Sequence, residues 1–336
     1  MKVLVTGASG FIGKAFVKAV INENSNVEIY CAVRKTSNVE ELQKLNVEFV
    51  NFDLRDSTTF FQAVKEKDVI VHFAANFDFL ASEESLFKQN VDATRELAEA
   101  ALEENVKHFI YCSTTEAMGI VTDGTEESDY NPDEVYGRSK MEAEKVLLSM
   151  KEDNQLPLTI VRPTGVFGPG DNYTIKEMIE SVDRTILNKV FPTAAKNLIH
   201  FTYIDDIIQG FIKIIKNSEK SIGQIYILSS DEPQTYREMF ITISRALGRK
   251  PPIFIPYFPL IIARPFWPIV VKFYRWKKHG YPFVPNALKK ISTSRNYLNL
   301  KAKRDLGFES TVNFELGMEN EVAWMRSQDM IKTKLK

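Results

Sequence analysis

A strand-like apolar run leads directly into a glycine-rich turn near the start of the chain. Lys2–Thr6 is followed without a break by Thr6–Gly13, which has glycines at positions 7, 10 and 13, and then by a helix-like segment, Lys14–Asn22. We expect the first glycine to allow a tight turn, the second the close approach of a phosphate, and the third close packing of helix on strand. The free N–H groups at the helix start also favour an anion. The placement therefore predicts a phosphate-binding turn, although three glycines alone would be a weak signal.

The rest of the first half alternates apolar runs with amphipathic segments, of which Glu84–Glu104 shows the clearest helical spacing. Such alternation predicts an α/β fold of the Rossmann type, a doubly wound parallel sheet with helices on both faces. Richness in Val, Ile and Phe is expected for strands covered on both faces. The strand candidates are Lys2–Thr6, Glu28–Val33, Val47–Asn51, Val69–Phe73, His108–Ser113 and Leu158–Arg162.

The pattern changes after Arg162. A turn-rich break follows at residues 163–171, alternating segments return at Leu198–Ile204 and Gln224–Leu228, and the chain becomes helical beyond Asp231. We predict a dinucleotide-binding domain over residues 1–170, completed by strands near 198–230. Residues 171–197 and 231–330 are expected to form a smaller, mostly helical substrate-binding region.

Basic residues follow the second predicted strand, where Arg34 and Lys35 come directly after Val33. An acidic residue at this point binds the ribose 2′-hydroxyl of NAD, whereas an arginine accommodates the 2′-phosphate of NADP. The pattern favours NADP(H) over NAD(H). The alternative is a solvated basic pair at a strand end.

Small residues follow the fourth predicted strand in the sequence His72-Phe-Ala-Ala75. Ala74 and Ala75 leave room for a dinucleotide to lie across the carboxyl edge of the sheet. His72 has apolar neighbours, so we expect a packed strand histidine rather than a catalytic one.

A tyrosine and a lysine stand four residues apart in Tyr136-Gly-Arg-Ser-Lys140, shortly after Asn131–Glu134, a typical helix start. This spacing places both side chains on one helix face, about one turn apart. A phenol with a pKa near 10 is a poor base, and a nearby ammonium lowers that pKa. The pair can then exchange a proton with a substrate hydroxyl or carbonyl. The alternative is an ordinary exposed helix pair, and the position after a fifth strand favours chemistry.

Hydroxyl side chains close the fifth predicted strand in the sequence Ser113-Thr-Thr-Glu116. At a carboxyl strand end they can hydrogen-bond a reacting oxygen. A helix cap is the alternative for one or two of them.

Seven short motifs follow one another along nearly the whole chain: Thr6–Gly13, Asp53-Leu54, Phe73–Ala75, Ser113-Thr114, Tyr136 with Lys140, Arg162–Asp171 and Tyr203–Asp206. Their order resembles the extended short-chain dehydrogenase/reductase superfamily, the group of NAD-dependent epimerases and dehydratases. The resemblance implies that Thr114, Tyr136 and Lys140 form a catalytic triad. It also implies homodimers formed through two long helices. Asn90 matches an asparagine that is common in the family. A purely structural role is the alternative to a part in the site.

The candidate cofactor site combines the residue patterns with this resemblance, which implies that Pro163–Val166 lies against the nicotinamide. Thr115, Glu116 and Phe77 are expected to face a small-molecule substrate. The residues expected to bind the dinucleotide are Gly7, Ser9, Gly10, Phe11, Ile12, Gly13, Arg34, Lys35, Asp53, Leu54, Ala74, Ala75, Ser113, Tyr136, Lys140, Pro163, Thr164, Gly165 and Val166.

The branch of the family is indicated by smaller differences. Dehydratases of nucleotide sugars usually carry Thr-Asp-Glu after strand five, whereas this chain has Thr114-Thr-Glu116, closer to the Thr-Ser-Glu of sugar-acid decarboxylases. Gly165 stands where nucleotide-sugar enzymes tend to place a diphosphate-binding Asn. The chain instead resembles the branch of 3β-hydroxysteroid dehydrogenases and dihydroflavonol reductases, which acts on lipophilic ketones and secondary alcohols. The segments that carry this resemblance are Ala32–Arg34, Arg162–Asp171, Lys301–Phe308 and Trp324.

We therefore predict an NAD(P)-dependent oxidoreductase that interconverts a secondary alcohol and a ketone on a lipophilic sterol-, flavonol- or acyl-like molecule. Two other classes stay open. One is a nucleotide-sugar epimerase or decarboxylase that uses the cofactor transiently, with Glu116 taking part. The other is a non-catalytic dinucleotide-sensing protein, against which the intact Tyr136 and Lys140 pair argues.

Composition excludes several other classes. A formal net charge of −1 provides no overall attraction to nucleic acid. Cys31 and Cys112 lie in apolar runs, so we expect buried thiols and neither a disulfide framework nor a metal site. The first strand begins at Lys2, which leaves no room for a cleavable signal peptide, and no uncharged apolar run reaches the roughly 18 residues of a membrane span. We expect a cytoplasmic protein.

Charge is nevertheless segregated along the chain. Between Glu238 and Asp305 there are no acidic residues and fourteen Lys or Arg, so the remainder carries −15. Within this stretch, residues 256–278 combine aromatic, aliphatic and proline residues with flanking cations. One interpretation is a helical substrate lid whose apolar side packs on the core. The other is a segment that covers a lipophilic substrate pocket and also touches an anionic membrane surface. A bound anionic carrier group such as coenzyme A would explain the cations equally well.

Overall fold

A computed structural model provides the fold of the chain and describes residues 1–23, 26–78, 81–184, 190–191, 194–254 and 291–331. The strands β1 to β13, in chain order, are Lys2–Thr6, Glu28–Val33, Glu48–Asn51, Val69–His72, His108–Cys112, Leu158–Pro163, Gly165–Phe167, Val190–Phe191, Leu198–Ile199, Phe201–Tyr203, Ile225–Leu228, Gln234–Thr235 and Ile253–Phe254.

Seven of these strands form one parallel sheet in the order β11-β6-β5-β4-β1-β2-β3. The chain enters at β1, adds β2 and β3 on one side, and then crosses to β4 and the remaining strands on the other. The direction of winding reverses between β1 and β4, where Thr6 pairs with His72. Ligands of such sheets bind at the carboxyl edge beside this reversal. The predicted doubly wound Rossmann sheet is confirmed.

The observed strands lie close to the predicted ones. β1 and β2 have the predicted bounds, and β3 to β6 differ by one residue at one end. The seventh strand is β11. Leu198–Ile199 and Phe201–Tyr203 do not extend the sheet, because they pair instead with β12 and β7 in separate two-stranded sheets.

Helices cover the sheet, and short 3-10 turns occur within the described residues at Leu42–Lys44, Ser57–Thr59 and Thr115–Ala117. The helices α1 to α11, in chain order, are Phe11–Asn22, Phe60–Val64, Glu83–Phe87, Ala93–Glu103, Val135–Asn154, Thr174–Arg184, Ile204–Lys216, Ser218–Ser221, Tyr236–Ala246, Leu300–Leu306 and Phe314–Ser327.

The predicted helix Glu84–Glu104 is not continuous. A π-helical segment, Lys88–Asp92, separates α3 from α4. At its centre Asn90 binds the backbone of Asn76 in both directions, accepting from its N–H at 2.7 Å and donating to its carbonyl at 3.0 Å. Apolar periodicity did not reveal this segment, and π segments are frequent at functional sites.

The core lies on both faces of the sheet. Every residue of β4, β5 and β6 is buried. One cluster joins Leu4, Ile70 and Phe109 of the sheet to Leu97 of α4 and Leu147 of α5. Burial from both sides explains why these strands read as continuous apolar runs rather than alternating ones.

The chain divides into two compact units. The first contains the seven-stranded sheet and consists of Met1–Gly165, Ile204–Asp231 and Tyr297–Ser310. The second, whose described residues include α6, α9 and α11, consists of Val166–Tyr203, Glu232–Asn296 and Thr311–Lys336.

Within the second unit, aromatic rings pack around a helix glycine. The ring centroid of Phe167 lies 5.6 Å from that of Tyr203 and 5.1 Å from that of Phe314. A Cβ at Gly317 would lie 2.8 Å from the rings of Phe167 and Tyr203, so α11 approaches them only because position 317 has no side chain.

In the parts of the chain that the structure describes, no helix is long and apolar enough to cross a membrane. The segment 256–278, for which a substrate lid or membrane contact is predicted, lies outside the described residues.

Candidate active site

The glycine turn joins β1 to α1 at the centre of the sheet. Gly7 has a φ of +67°, and the N–H of Gly10 donates to its carbonyl at 2.9 Å. A Cβ at Gly7 would lie 2.8 Å from the backbone nitrogen of Ala74, and one at Gly13 would overlap the carbonyl of Gly7. The chain can therefore turn this tightly only with glycine at both positions.

The start of α1 is open to an anion. The helix begins at Phe11 with Gly10 as its N-cap, which provides no side-chain hydrogen bond, and its first turn holds no acidic residue. Ser9 is half-buried, as are Phe11 and Ile12. First-turn N–H groups without a capping side chain suit a phosphate, so this turn fits the diphosphate of a dinucleotide.

Charged side chains gather where β2 and β3 end. Arg34 and Lys35 are exposed directly after β2, while Leu54 is half-buried after β3. Asp53 accepts hydrogen bonds from Arg55, at 3.0 Å from Nε and 2.6 Å from Nη2. These bonds hold the pKa of the Asp53 carboxyl below its ordinary value, and the charge of Arg34 acts in the same direction. Sequence reasoning missed Arg55, although its place two residues after Asp53 was visible.

The end of β4 packs against the glycine turn. Phe73, Ala74 and Ala75 are partly buried, and the N–H of Ala74 donates to the Thr6 hydroxyl at 3.2 Å. Ala74 and Ala75 therefore place only methyl side chains at the carboxyl edge of the sheet beside the turn.

The hydroxyls after β5 have different environments. Ser113 is buried and donates its hydroxyl to Glu144. Thr114 is half-buried and caps the Thr115–Ala117 turn, its oxygen accepting from the N–H of Glu116 at 3.2 Å. Because Thr114 accepts with its oxygen, its hydroxyl hydrogen is available to a reacting oxygen. Of the two predicted substrate residues here, Thr115 is buried and Glu116 half-buried.

Helix α5 carries the tyrosine and the lysine at the end of β5. It starts at Val135, and a Cβ at Gly137 would lie 2.5 Å from the carbonyl oxygen of Glu116, which brings its first turn against the residues after β5. Tyr136 is half-buried, and the Phe77 ring stands edge-on to it with centroids 4.8 Å apart.

Lys140 is buried, with 2% of its surface exposed. Its Nζ donates to the carbonyl of Cys112 at 2.8 Å and lies 4.1 Å from the centre of the Tyr111 ring. Burial lowers the pKa of the Lys140 ammonium to about 8, while Cys112 and Glu144 act in the opposite direction. A lysine in such a place is a strong candidate for chemistry.

A chain of buried polar groups runs from the glycine turn toward this helix. His72 contacts the Thr6 hydroxyl through Nδ1 at 2.7 Å and the Thr94 hydroxyl through Nε2 at 3.1 Å. Thr94 donates to the carbonyl of Asn90, whose side chain donates to the Ser139 hydroxyl at 3.0 Å. His72 is fully buried between hydroxyls, as a packed strand residue should be.

The last link reaches the tyrosine itself, because the Ser139 hydroxyl donates to the backbone carbonyl of Tyr136 at 2.8 Å. Asn90 thus braces the first turn of α5 as well as the segment after β4. Sequence reasoning did not select Ser139 or Thr94, since nothing in local spacing indicates their partners.

The turn after β6 supplies the remaining predicted residues. Pro163 and Thr164 are buried, and the N–H of Thr164 donates to the carbonyl of Leu228 at 3.1 Å. Gly165 is exposed and is the last residue of the first unit in this segment, while Val166, half-buried, begins the second. All other predicted site residues lie in the first unit.

Comparison with known proteins shows the family to which the chain belongs. The sequence profile of the NAD dependent epimerase/dehydratase family matches residues 3–229, about two thirds of the chain. The chain belongs to this family. The predicted resemblance to extended short-chain dehydrogenases/reductases is confirmed, and the chain is an enzyme of the NAD-dependent oxidoreductase type.

Its relatives include two kinds of enzyme. A 3beta-hydroxysteroid-dehydrogenase/decarboxylase of Arabidopsis thaliana is 24% identical over 95% of this chain, which spans only 61% of that protein's length. A decarboxylating sterol-4-alpha-carboxylate 3-dehydrogenase of Candida albicans is 26% identical over 96% of this chain and 97% of its own. A UDP-glucose 4-epimerase of Vibrio cholerae is 27% identical over 74% and 76%.

Solved structures share the fold. The crystal structure of gox2253 superposes with a TM-score of 0.80 at 27% identity, covering 98% of this chain and 99% of the other. A UDP-glucuronic acid 4-epimerase from Bacillus cereus in complex with NAD has a TM-score of 0.76 at 21% identity, with the same coverage.

Proposed function

We propose that this enzyme interconverts a secondary alcohol and a ketone on a lipophilic small molecule, with NADP(H) favoured over NAD(H). The observation that carries the proposal is the placement of Tyr136 and Lys140 on one face of α5, with Lys140 buried against the end of β5. The site residues predicted from the sequence are proposed in the same roles.

Three side chains share the chemistry. When bound, the nicotinamide cofactor supplies the hydride that reduces the carbonyl carbon. The Tyr136 phenol gives its proton to the carbonyl oxygen, and in oxidation the phenolate takes the alcohol proton back. The Lys140 ammonium favours the phenolate and holds the nicotinamide ribose, while the Thr114 hydroxyl hydrogen-bonds the reacting oxygen.

The cofactor preference rests on the strand-end cations. A 2′-phosphate beside β2 would meet Arg34 and Lys35, both exposed and therefore free to reorient toward it. Asp53, on which the charge of Arg34 also acts, is already paired with Arg55, so it repels a phosphate less than an unpaired carboxylate would.

The lipophilic substrate class is supported by the sterol dehydrogenases among the relatives and by Gly165, which lacks the side-chain amide that nucleotide-sugar enzymes tend to have there. The second candidate is a nucleotide-sugar epimerase or decarboxylase, which the Vibrio cholerae relative favours. The two differ in whether the cofactor is consumed, because an epimerase returns its hydride to the same substrate.

The test is a panel of sterol, flavonol and acyl ketones, followed by absorbance of NADPH, with UDP-sugars assayed in parallel for epimers. We expect stoichiometric loss of NADPH with at least one lipophilic ketone. Epimer formation from a UDP-sugar without net change in NADPH would transfer the assignment to the second candidate. Binding of NADPH without either reaction across both panels would favour the sensing class.

Two further expectations belong to this proposal. We propose a homodimer, to be measured by sedimentation equilibrium.

For residues 256–278 we propose a lid that also touches an anionic membrane. Co-sedimentation with anionic vesicles, lost in high salt and absent with neutral vesicles, is the expected result. No vesicle binding under any condition would leave only the lid.

A further inference from the structure

A buried carboxylate lies one helical turn beyond the lysine. Glu144 follows Lys140 by four residues in α5, as Lys140 follows Tyr136, so the three side chains share one helix face. The Glu144 side chain has no exposed surface. A carboxylate can stay charged in such a place only with strong partners.

Three groups hold this carboxylate. Arg162, whose side chain is 1% exposed, donates from Nε to both oxygens at 3.1 Å and from Nη2 to Oε2 at 2.6 Å. The Tyr130 hydroxyl donates to Oε2 at 2.7 Å, and the Ser113 hydroxyl donates to Oε1. Glu144 thereby ties α5 to β6, to the loop before α5 and to the end of β5. The guanidinium contact supplies charge-assisted hydrogen bonds to this carboxylate.

Lys140 has a different kind of surroundings. Its Nζ binds the carbonyl of Cys112 and lies over the Tyr111 ring, and neither contact neutralises its charge. Among the described residues, no carboxylate forms an ion pair with this ammonium. The titratable residues one turn away on its own helix face are Tyr136 and Glu144.

Apart from the charged Arg162 on β6, the titratable groups nearby lie on β4 and β5 and are neutral at physiological pH. Burial lowers the pKa of His72, on β4, to about 3. Burial raises the pKa of the Cys112 thiol to about 11 and that of the Tyr111 phenol well above its ordinary value. Among the carboxylates of the part of the chain that the structure describes, Glu144 is therefore the one that follows Lys140 by a single turn on its helix face and acts on its charge.

We propose that Glu144 is a positioning residue for Lys140: its buried charge keeps Lys140 an ammonium at neutral pH, and its anchoring bonds hold the helix face that carries Tyr136. The inference rests on the proposed function only for the use that Tyr136 makes of this ammonium. The electrostatic claim concerns the protein alone.

The experiment measures the titration of Lys140 directly. Lysines are labelled with ¹³C at Cε, the Lys140 signal is assigned by its loss in Lys140→Arg, and spectra of the cofactor-free protein are recorded from about pH 6 to about pH 10. In Glu144→Gln we expect the Lys140 midpoint to fall by about one pH unit, the size expected for removing one charge a helical turn away. The matched control is Glu142→Gln, which removes a partly exposed carboxylate paired with Lys145 on the same helix and should leave the midpoint unchanged.

A second variant guards against loss of the fold. Glu144→Gln leaves Arg162 buried without its carboxylate, which is destabilising, whereas Glu144→Gln/Arg162→Met removes both charges and fills the space with an apolar chain. In the double variant the Lys140 midpoint should still lie below that of wild type, by less than in the single variant. A wild-type midpoint in the double variant would overturn the proposal, and so would one in a folded single variant.

This result is separable from the proposed function, because no substrate enters the measurement. Once a substrate is known, the loss of kcat at high pH should begin at lower pH in Glu144→Gln, with little change in KM. A lowered kcat with an unshifted pH profile would indicate that Glu144 only supports the fold.

Discussion

His72 Nε2 lies 3.1 Å from the Thr94 hydroxyl, and the direction of that hydrogen bond determines the tautomer of the ring. Thr94 donates its hydroxyl hydrogen to the carbonyl of Asn90, so it can only accept from the imidazole. His72 therefore carries its proton on Nε2, and Nδ1 accepts from the Thr6 hydroxyl at 2.7 Å. Through Thr94, the ring connects the strand that starts the glycine turn to Asn90, which braces the first turn of α5.

The first prediction concerns this ring. Burial lowers the pKa of His72 to about 3, with Lys140 acting in the same direction. In ¹⁵N imidazole spectra, we expect a neutral ring protonated on Nε2 that does not titrate above about pH 4. A midpoint near 6.5 would contradict the buried network.

The same depressed pKa has a consequence for stability. Between the unfolded pKa of 6.5 and about 3, the unfolded chain binds a proton that folded His72 does not bind. Stability should therefore fall as the pH is lowered through this window. In His72→Gln, which cannot take up a proton, the free energy of unfolding should show a weaker dependence on pH there, and an unchanged dependence would contradict this assignment.

The second prediction is catalytic. Tyr136→Phe removes the proton donor while keeping the ring that packs against Phe77, so we expect turnover to fall by about two to four orders of magnitude. Calorimetry should show nearly unchanged cofactor affinity, since the loss is confined to the transition state. Near-normal turnover with an identified substrate would remove Tyr136 from the mechanism.

The third prediction concerns the cofactor. A charge-assisted contact to phosphate is worth about 1.5–3 kcal/mol, so the unmutated protein should bind NADPH about 10- to 100-fold more tightly than NADH. Arg34→Ala should erase most of this difference. Arg95→Ala, which changes another exposed arginine on α4, is the control and should keep it. Equal binding of the two cofactors by the unmutated protein would refute the preference.

The fourth prediction concerns a carboxylate of the second unit. Glu321 is fully buried, and neither of its oxygens has a hydrogen-bond partner in the structure as described. Burial raises its pKa to about 9, and the charge of Asp171 adds to this. Between the unfolded pKa of 4.5 and about 9, the folded protein holds a proton that the unfolded chain releases, so stability is lost as the pH rises.

Glu321→Gln keeps the shape without the charge and should therefore raise Tm at about pH 8.5 by several degrees, with little change near pH 5. The exposed neighbour Glu319 offers the control, because Glu319→Gln should leave Tm unchanged at both pH values. A gain in Tm that is the same at every pH would mean that Glu321 is not the titrating group.

Much of the fold was readable in advance because it is encoded locally. The bounds of β1 and β2 were predicted to the residue, since runs of Val, Ile and Leu between polar residues mark buried strands. The shared face of Tyr136 and Lys140 follows from a spacing of four on any helix. The tight turn at Gly7 likewise needs only neighbouring residues.

What the sequence could not reveal depends on residues distant along the chain. The Ser113 hydroxyl donates to Glu144, thirty-one positions away, a partner that no local pattern indicates. Arg162 was read as part of a motif, and the structure shows it buried against Glu144. Leu198–Ile199 was expected to complete the sheet, but pairs with β12 instead.

The physical reason is the same in each case. The spacing of apolar residues shows which face of a helix or strand is buried, because each apolar side chain gains free energy from burial whatever its particular neighbours are. A buried polar group must find a specific partner, and the partner is determined by how the strands and helices are brought together. The local sequence therefore determined the glycine turn, the strands and the shared helix face of Tyr136 and Lys140, and tertiary packing determined which charges and hydroxyls support them.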